Sequence, residues 1–342
     1  MIIVIDKHIP YAAQVLSRYA VIREIEGSTI KASDVIDADA LLVRTRTRCD
    51  AALLGGSRVK FVGTATIGYD HIDRAWCAAN GMTFASAAGC NARAVLQWVS
   101  GVLAHLANSD GWRPEERTLG VVGVGHVGSL VADYARSWGF RVVCSDPPRE
   151  LSEGLGLNEG FLPLSELAAC ADIVTFHPLL VREGSWPSFH LADSTFLASL
   201  HDGATVLNAS RGEVLDTRAA LKELHRLRFC IDTWEGEPSI DRTLLASAEV
   251  TTQHIAGYSV QGKANASAMI LSALGRCFNI PELESWFPDE VERTVPRPIG
   301  WDDMCRTIGR YFDPVAESNV LRRGADRFEE LRNNYNLRQE YF

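Results

Sequence analysis

The 342-residue chain contains no run of 18 apolar residues, so no segment of it reads as a membrane-spanning helix. Its eight cysteines, at 49, 77, 90, 144, 170, 230, 277 and 305, form no C-x-x-C pair and no Cys/His cluster at zinc spacing. That scatter excludes a disulfide framework and a zinc site, and it reads as reduced thiols. Basic charge is in deficit: 34 Lys and Arg stand against 43 Asp and Glu, a net charge of −9, which argues against a general nucleic-acid binder. Met1-Ile-Ile-Val-Ile-Asp6 lacks a basic stretch ahead of its apolar residues and reaches a charge too early for a secretory signal, so a cytoplasmic protein is expected. Internal repeats and low-complexity tracts are also missing. What remains is ordinary globular composition, 46% apolar and 23% charged, in a length that suits two or three domains.

Short β-branched runs alternate with helical spacing along the first 90 residues. Ile2–Ile5, Val21–Ile25, Ala40–Arg44, Val59–Ala65 and Thr83–Ala85 are strand candidates, with helical stretches between them. Such alternation means a doubly wound parallel sheet. Asn91–Asn108 reads as one long helix, and a second β–α series runs from Leu119 to about His254. Gly262–Asn279 is a helix that could return the chain to the first lobe. Pro281–Pro298, with four prolines and several acids, reads as a linker, and Asp302–Phe312 and Asp326–Tyr341 as helical pieces beyond it.

The strongest motif is Thr118-Leu-Gly-Val-Val-Gly-Val-Gly-His-Val-Gly128. A β-run feeds Gly123, Gly125 and Gly128, a helical pattern follows, and the next strand closes on Asp146. In a G-x-G-x-x-G turn the first glycine makes the bend, the second lets a pyrophosphate approach, and the third packs helix on strand. The amides of His126 and Val127 then face the phosphates. Asp146 suits the adenosine ribose hydroxyls and repels a 2′-phosphate, which predicts NAD rather than NADP.

Three strand ends in the second half supply reactive groups. Arg211 follows Thr205–Asn208, and its fork suits a carboxylate. Glu235 and Glu237 share the loop after Phe229–Asp232. His254 follows Glu249–Thr252, and a histidine paired with a glutamate gains basicity and a fixed tautomer. Sequence alone does not choose between Glu235 and Glu237, nor between His254 and the strand-end histidines His71 and His177.

At these residues the chain resembles the NAD-dependent D-2-hydroxyacid dehydrogenases. The resemblance covers almost the whole chain and is carried by Gly63–Asp73, Ala88-Gly-Cys-Asn91, the Gly123–Gly128 fingerprint, Thr175-Phe-His177, Asn208-Ala-Ser-Arg-Gly212, Asp232-Thr-Trp-Glu-Gly-Glu-Pro238 and His254-Ile-Ala-Gly-Tyr258. The last two motifs point to one branch, whose members oxidise a phosphorylated four-carbon 2-hydroxy acid in pyridoxal 5′-phosphate synthesis and carry an extra C-terminal dimerisation domain. The resemblance implies that Arg211, Glu237 and His254 are catalytic, and that Asp146, Thr175, Ser210, Asp232 and Gly257 join the glycine turn in holding NAD. It implies substrate contacts at Thr45, where a serine is commoner, at Thr66 and at Tyr258. Arg44, within Arg44-Thr-Arg-Thr-Arg48, is a further candidate for the substrate's phosphate.

The expected fold is α/β: two doubly wound Rossmann-like lobes and a small C-terminal α+β dimerisation domain. Residues 1–95, completed by 260–280, form the substrate lobe, 96–259 the NAD-binding domain, and 283–342 the dimerisation domain. The dimer is expected through an apolar stripe of Phe328, Leu331 and Tyr335. No metal is expected, because Arg and His supply the charge. Departures from the family are Pro178-Leu179, where Thr-Pro is usual, and a shorter C-terminal domain. Rival readings are a dehydrogenase for 3-phosphoglycerate, glycerate or lactate, or an NAD(H)-sensing regulator on the same fold.

Overall fold

The computed structural model describes residues 1–296 and 298–342, with Asn158 described by its backbone alone. The chain divides into two compact units. The first holds Met1–Asn91 and Ser259–Thr294, the second Ala92–Tyr258 and Val295–Phe342.

Five parallel strands make the sheet of the first unit: β1 (Ile2–Asp6), β2 (Val21–Ile25), β3 (Ala40–Val43), β4 (Phe61–Thr64) and β5 (Thr83–Ser86), in the order β2-β1-β3-β4-β5. Strand side chains alternate between faces. Ile3, Ile5, Leu42 and Phe61 accordingly pack with Ile270, Leu271 and Leu274 of the helix Val260–Phe278. Val4, Leu41, Val43 and Val62 enter a second cluster on the other face. Gly63 makes the helix contact possible: a Cβ there would lie 2.8 Å from the Ile270 side chain. The close approach of the return helix to β4 therefore requires glycine at this position.

Six parallel strands make the second sheet: β6 (Thr118–Val122), β7 (Arg141–Ser145), β8 (Ile173–Phe176), β9 (Thr205–Asn208), β10 (Arg228–Ile231) and β11 (Val250–Thr251). Their order is β11-β10-β9-β8-β6-β7. Phe161 adds an isolated parallel bridge to Cys144, beside β7, where a doubly wound sheet has its outer strand. Strand order reverses at β6, so the crevice beyond the β6 and β8 carboxyl ends is the place where such sheets take ligands.

The C-terminal segment differs from its expectation. Among the described residues it forms the helices Trp301–Thr307, Pro314–Gly324 and Phe328–Asn333 and no strand, so it is helical rather than α+β. Its apolar side chains also enter the core of the second unit. Trp301 stacks on Trp112 with ring centroids 6.0 Å apart, and Met304, Ile308 and Phe312 join the cluster around the long helix Ala92–Asp110. Phe328 is 1% exposed and, with Leu331, packs on the opposite face of the sheet. The stripe assigned to a dimer contact is therefore consumed within the chain, because burying it against the sheet removes the same apolar surface from water. Among the described residues, no helix is long and apolar enough to cross a membrane.

Candidate active site

In the second unit the reactive side chains stand on the loops that leave β9, β10 and β11. His254 follows β11 and takes φ 58°, in the left-handed region that side chains other than glycine rarely adopt. The surrounding hydrogen bonds fix this conformation. The His254 N–H donates to the Asp232 carbonyl (2.8 Å). The Asp232 carboxylate accepts from the N–H groups of Ile255 (2.8 Å) and Ala256 (3.0 Å) and from the Thr252 hydroxyl (2.6 Å). Asp232 is 1% exposed, and burial raises its pKa above the ordinary carboxylate value in spite of these donors.

A second charge holds the same loop from its carbonyl side. Arg338 is 7% exposed and donates to the carbonyls of Ile255 (2.9 Å), Ala256 (2.5 Å) and Ala94 (3.0 Å). The peptide groups after His254 are thus held between a buried carboxylate and a buried guanidinium. This arginine comes from the C-terminal segment, to which the sequence assigns no role at the site.

Glu237, not Glu235, meets His254. The imidazole Nδ1 lies 2.8 Å from Glu237 Oε2, while Glu237 Oε1 accepts from the Trp234 N–H at 2.8 Å. Burial by itself raises the Glu237 pKa. His254, the Trp234 amide and Arg332 together outweigh burial and leave the carboxyl below its ordinary value. With Nδ1 engaged, Nε2 is the ring nitrogen left to exchange a proton with a substrate. Glu235 turns to other partners: its carboxylate lies 2.6 Å from His190 Nε2 and accepts from the Thr217 N–H. Sequence could not separate the two acids because both follow β10 within one short loop.

Arg211 stands at the end of the neighbouring strand β9 and donates to the Ser210 carbonyl at 2.8 Å. Asn208 shapes this loop. Its amide donates to the Arg211 carbonyl (3.0 Å), and its oxygen accepts from the Ser210 hydroxyl (2.9 Å). Gly212 brings the β9 and β10 loops together, since a Cβ there would lie 2.0 Å from the Trp234 carbonyl carbon. Ser210 and Thr175, both expected at the cofactor, keep their hydroxyls inside the protein. Ser210 is bound to Asn208, and the fully buried Thr175 lies 2.9 Å from His177 Nε2. Burial pushes the His177 pKa down to about 3, so this ring is neutral and its Nδ1 has no hydrogen-bond partner. Gly257 is half-buried between Ala256 and Tyr258.

The glycine turn has the shape that a dinucleotide pyrophosphate needs. A Cβ on Gly128 would lie 2.1 Å from the Gly123 carbonyl oxygen, and one on Gly123 would lie 2.5 Å from the Pro178 nitrogen. Gly125 is exposed, and a Cβ there would meet nothing within 4 Å. Packing therefore demands the first and third glycines, and the second borders open space at the start of the helix His126–Trp138. His126 is exposed and Val127 half-buried on that first turn. Asp146 ends β7; its carboxylate accepts from the Val124 N–H (2.7 Å) and the Arg149 N–H (3.1 Å), and each oxygen retains acceptor capacity for a ribose hydroxyl. The Arg149 guanidinium donates to the Val124 carbonyl and the Ser129 hydroxyl, so it is already committed within the protein.

The remaining candidates belong to the first unit. Thr45 is exposed in a turn after β3. The Thr66 hydroxyl donates to the Gly68 carbonyl (3.0 Å) and shares a hydrogen bond with Thr64 (2.7 Å), whose hydroxyl lies 3.1 Å from His71 Nε2. Burial lowers the His71 pKa. Residues 45–47 turn after β3, so the Arg44–Arg48 run does not continue the strand. Arg44 points back to the fully buried Asp6 (3.1 Å) and Arg48 to Asp50 (2.8 Å), so Arg44 is committed to an internal ion pair.

Residues 96–256 match the family model described as "D-isomer specific 2-hydroxyacid dehydrogenase, NAD binding domain". An erythronate-4-phosphate dehydrogenase of Bacteroides fragilis is 42% identical, over 99% of this chain and 97% of its own length. One from an Enterobacter species is 38% identical, over all of this chain and 92% of its own. Among solved structures, a D-lactate dehydrogenase from Aquifex aeolicus, complexed with NAD and lactic acid, superposes with TM-score 0.64 at 19% identity, over 85% of this chain and all of that one. An NAD-dependent formate dehydrogenase from Staphylococcus aureus, in complex with NAD, gives TM-score 0.62 at 19% identity, over 86% of this chain and all of that one.

Proposed function

Since the chain belongs to the erythronate-4-phosphate dehydrogenases, within the D-isomer-specific 2-hydroxyacid dehydrogenase family, we propose that it oxidises 4-phospho-D-erythronate at C2 with the residues gathered on the β9, β10 and β11 loops. The product is (R)-3-hydroxy-2-oxo-4-phosphooxybutanoate, an intermediate of pyridoxal 5′-phosphate synthesis. NAD, when bound, supplies the acceptor for the C2 hydride. The glycine turn and Asp146 fit its pyrophosphate and adenosine ribose.

The chain's own groups do the rest. Arg211 holds the substrate carboxylate and stabilises charge on the developing C2 carbonyl. His254 Nε2 removes the hydroxyl proton as the hydride leaves, and the imidazolium that results is stabilised by Glu237 through Nδ1. The family resemblance implies substrate contacts at Thr45, Thr66 and Tyr258. The observation that carries this reading is the 2.8 Å Glu237–His254 pair, held at the carboxyl edge of a sheet whose first turn is the dinucleotide fingerprint. The eight free thiols suit a cytoplasmic enzyme. A homodimer is part of the reading through the branch resemblance, with its contact elsewhere than the buried Phe328.

The test is NADH formation against a panel of 4-phosphoerythronate, 3-phosphoglycerate, glycerate and lactate. A kcat/KM highest for 4-phosphoerythronate is expected. A preference for another acid would reassign the substrate, and no turnover with any of them, despite NAD binding, would favour the regulatory reading.

A further inference from the structure

Arg332, on the short helix Phe328–Asn333, reaches two groups of the candidate site at once. Its Nε donates to the Tyr258 hydroxyl oxygen at 3.1 Å. Its Nη1 lies 3.8 Å from Glu237 Oε2, the same oxygen that faces His254 Nδ1 at 2.8 Å. One carboxylate oxygen therefore sits between an imidazole and a guanidinium. The Arg332 side chain is 23% exposed, so water screens these interactions only in part.

We propose that Arg332 is a positioning residue of the dehydrogenase site, holding the Glu237 carboxylate against His254 and the Tyr258 hydroxyl toward substrate. The inference rests on the roles given above to Glu237 and His254. Two effects follow. The guanidinium restrains Glu237 to the geometry that bonds His254. It also offsets part of the carboxylate's charge, so the imidazolium that forms on His254 faces a weaker negative field than a bare glutamate would give. An arginine performs both tasks because its planar fork spans two acceptors, which the point charge of a lysine cannot do.

The other charged and titratable groups facing this cluster are Asp232 and Tyr258 from the strand-end loops, and Glu317, Glu329, Tyr335 and Arg338 from the C-terminal segment. Asp232 bonds the loop after His254, Glu329 lies 4.0 Å from Arg332, Arg338 is bonded to that loop and to Tyr335, and Glu317 feels Arg338 and Asp232. All of these stay in place in the variants below.

The experiment compares Arg332→Gln, Glu237→Gln and the double variant. Each is measured by the pH profile of NADH formation from 4-phosphoerythronate and by an NMR titration of the His254 ring in the unliganded protein. Arg332→Gln should move the acid limb and the ring titration to higher pH by about half to one unit, a sense opposite to that of Glu237→Gln. It should lower kcat about 10-fold, with little change in the KM for NAD. In the double variant most of the kcat loss due to Arg332 should vanish, because the charge whose position it restrains is gone, while the shift from its direct field on the ring should persist. Arg332→Lys should recover the titration but not the full kcat. A normal titration in folded Arg332→Gln, or an equal kcat loss on the Glu237→Gln background, would overturn the proposal. The ring titration needs no turnover, so a wrong substrate would leave this test standing and would fail only the activity panel.

Discussion

The two units treat their candidate functional side chains differently. In the second unit His254 takes a left-handed backbone conformation and is held through Asp232, Glu237 and a buried arginine. In the first unit Thr45 lies exposed in a turn, and the neighbouring arginines are paired with Asp6 and Asp50. Charge at a proton-transfer site must be fixed before the reaction begins, because reorganising it during the reaction costs rate. A surface that receives a flexible phosphorylated acid needs less rigidity. The contrast also separates a basic run from a basic site: within Arg44–Arg48, Arg44 is bound to the buried Asp6 and Arg48 to the helix-capping Asp50.

The largest test of this contrast is His254→Gln. It keeps size and hydrogen bonding but removes basicity, so kcat should fall about 10²–10⁴-fold with NAD binding intact, as followed by turnover and cofactor titration. A small loss would move proton transfer away from the β11 loop. Next comes Arg211→Lys, which preserves charge without the fork; a fall of about 10² in kcat/KM is expected, and near-normal constants would remove the bidentate role.

Glu237→Gln should cost about 10-fold and shift the acid limb of oxidation to lower pH, since a histidine that loses its neighbouring anion holds its proton less firmly. Glu235→Gln, which faces His190, should leave that limb in place. Asp146→Ala should narrow the preference of NAD over NADP, measured as the ratio of kcat/KM values, by a few-fold to about 10-fold. The smallest effect on activity belongs to the first unit. Arg44→Gln should lower stability by about 1–3 kcal/mol in denaturant melts, because it removes the guanidinium from the buried Asp6 and leaves that carboxylate to His8, while the substrate KM changes little. A large rise in KM with unchanged stability would return Arg44 to the phosphate.

Much of the fold could be read along the chain, because buried parallel strands announce themselves as β-branched runs and Gly123, Gly125 and Gly128 fall between a strand and a helix. The carboxyl ends of β9, β10 and β11 could be located for the same reason. The choice of Glu237 over Glu235 could not, since it depends on the path of the chain over three residues. The helix Pro314–Gly324 went unread although its start carries a clear signal: Asp313 caps the first turn, accepting from the N–H groups of Val315 and Ala316, and Pro314 occupies the first helical position. Of the stripe Phe328, Leu331 and Tyr335, the first two share a helix that ends at Asn333, before Tyr335, and they pack within the chain; periodicity identifies an apolar face without saying what covers it. Arg332 and Arg338 lie in the C-terminal segment Phe328–Glu340, which resembles the branch's extra domain and by itself points to no role at the site. Their partners in the site loops are 74 or more residues away in sequence, so only the folded chain brings them there.

The clasp of Asp232 and Arg338 on the two residues after His254 has a consequence for motion. The amide hydrogens of Ile255 and Ala256 can exchange with water only if a buried carboxylate loses them, and the paired carbonyls can swing out only by stranding a buried guanidinium. Both steps cost far more than the fraying of an ordinary surface loop, so this segment shares the protection of the sheet beneath it. It therefore opens together with its unit, and the flexibility that lets substrate in and product out has to come from other parts of the chain.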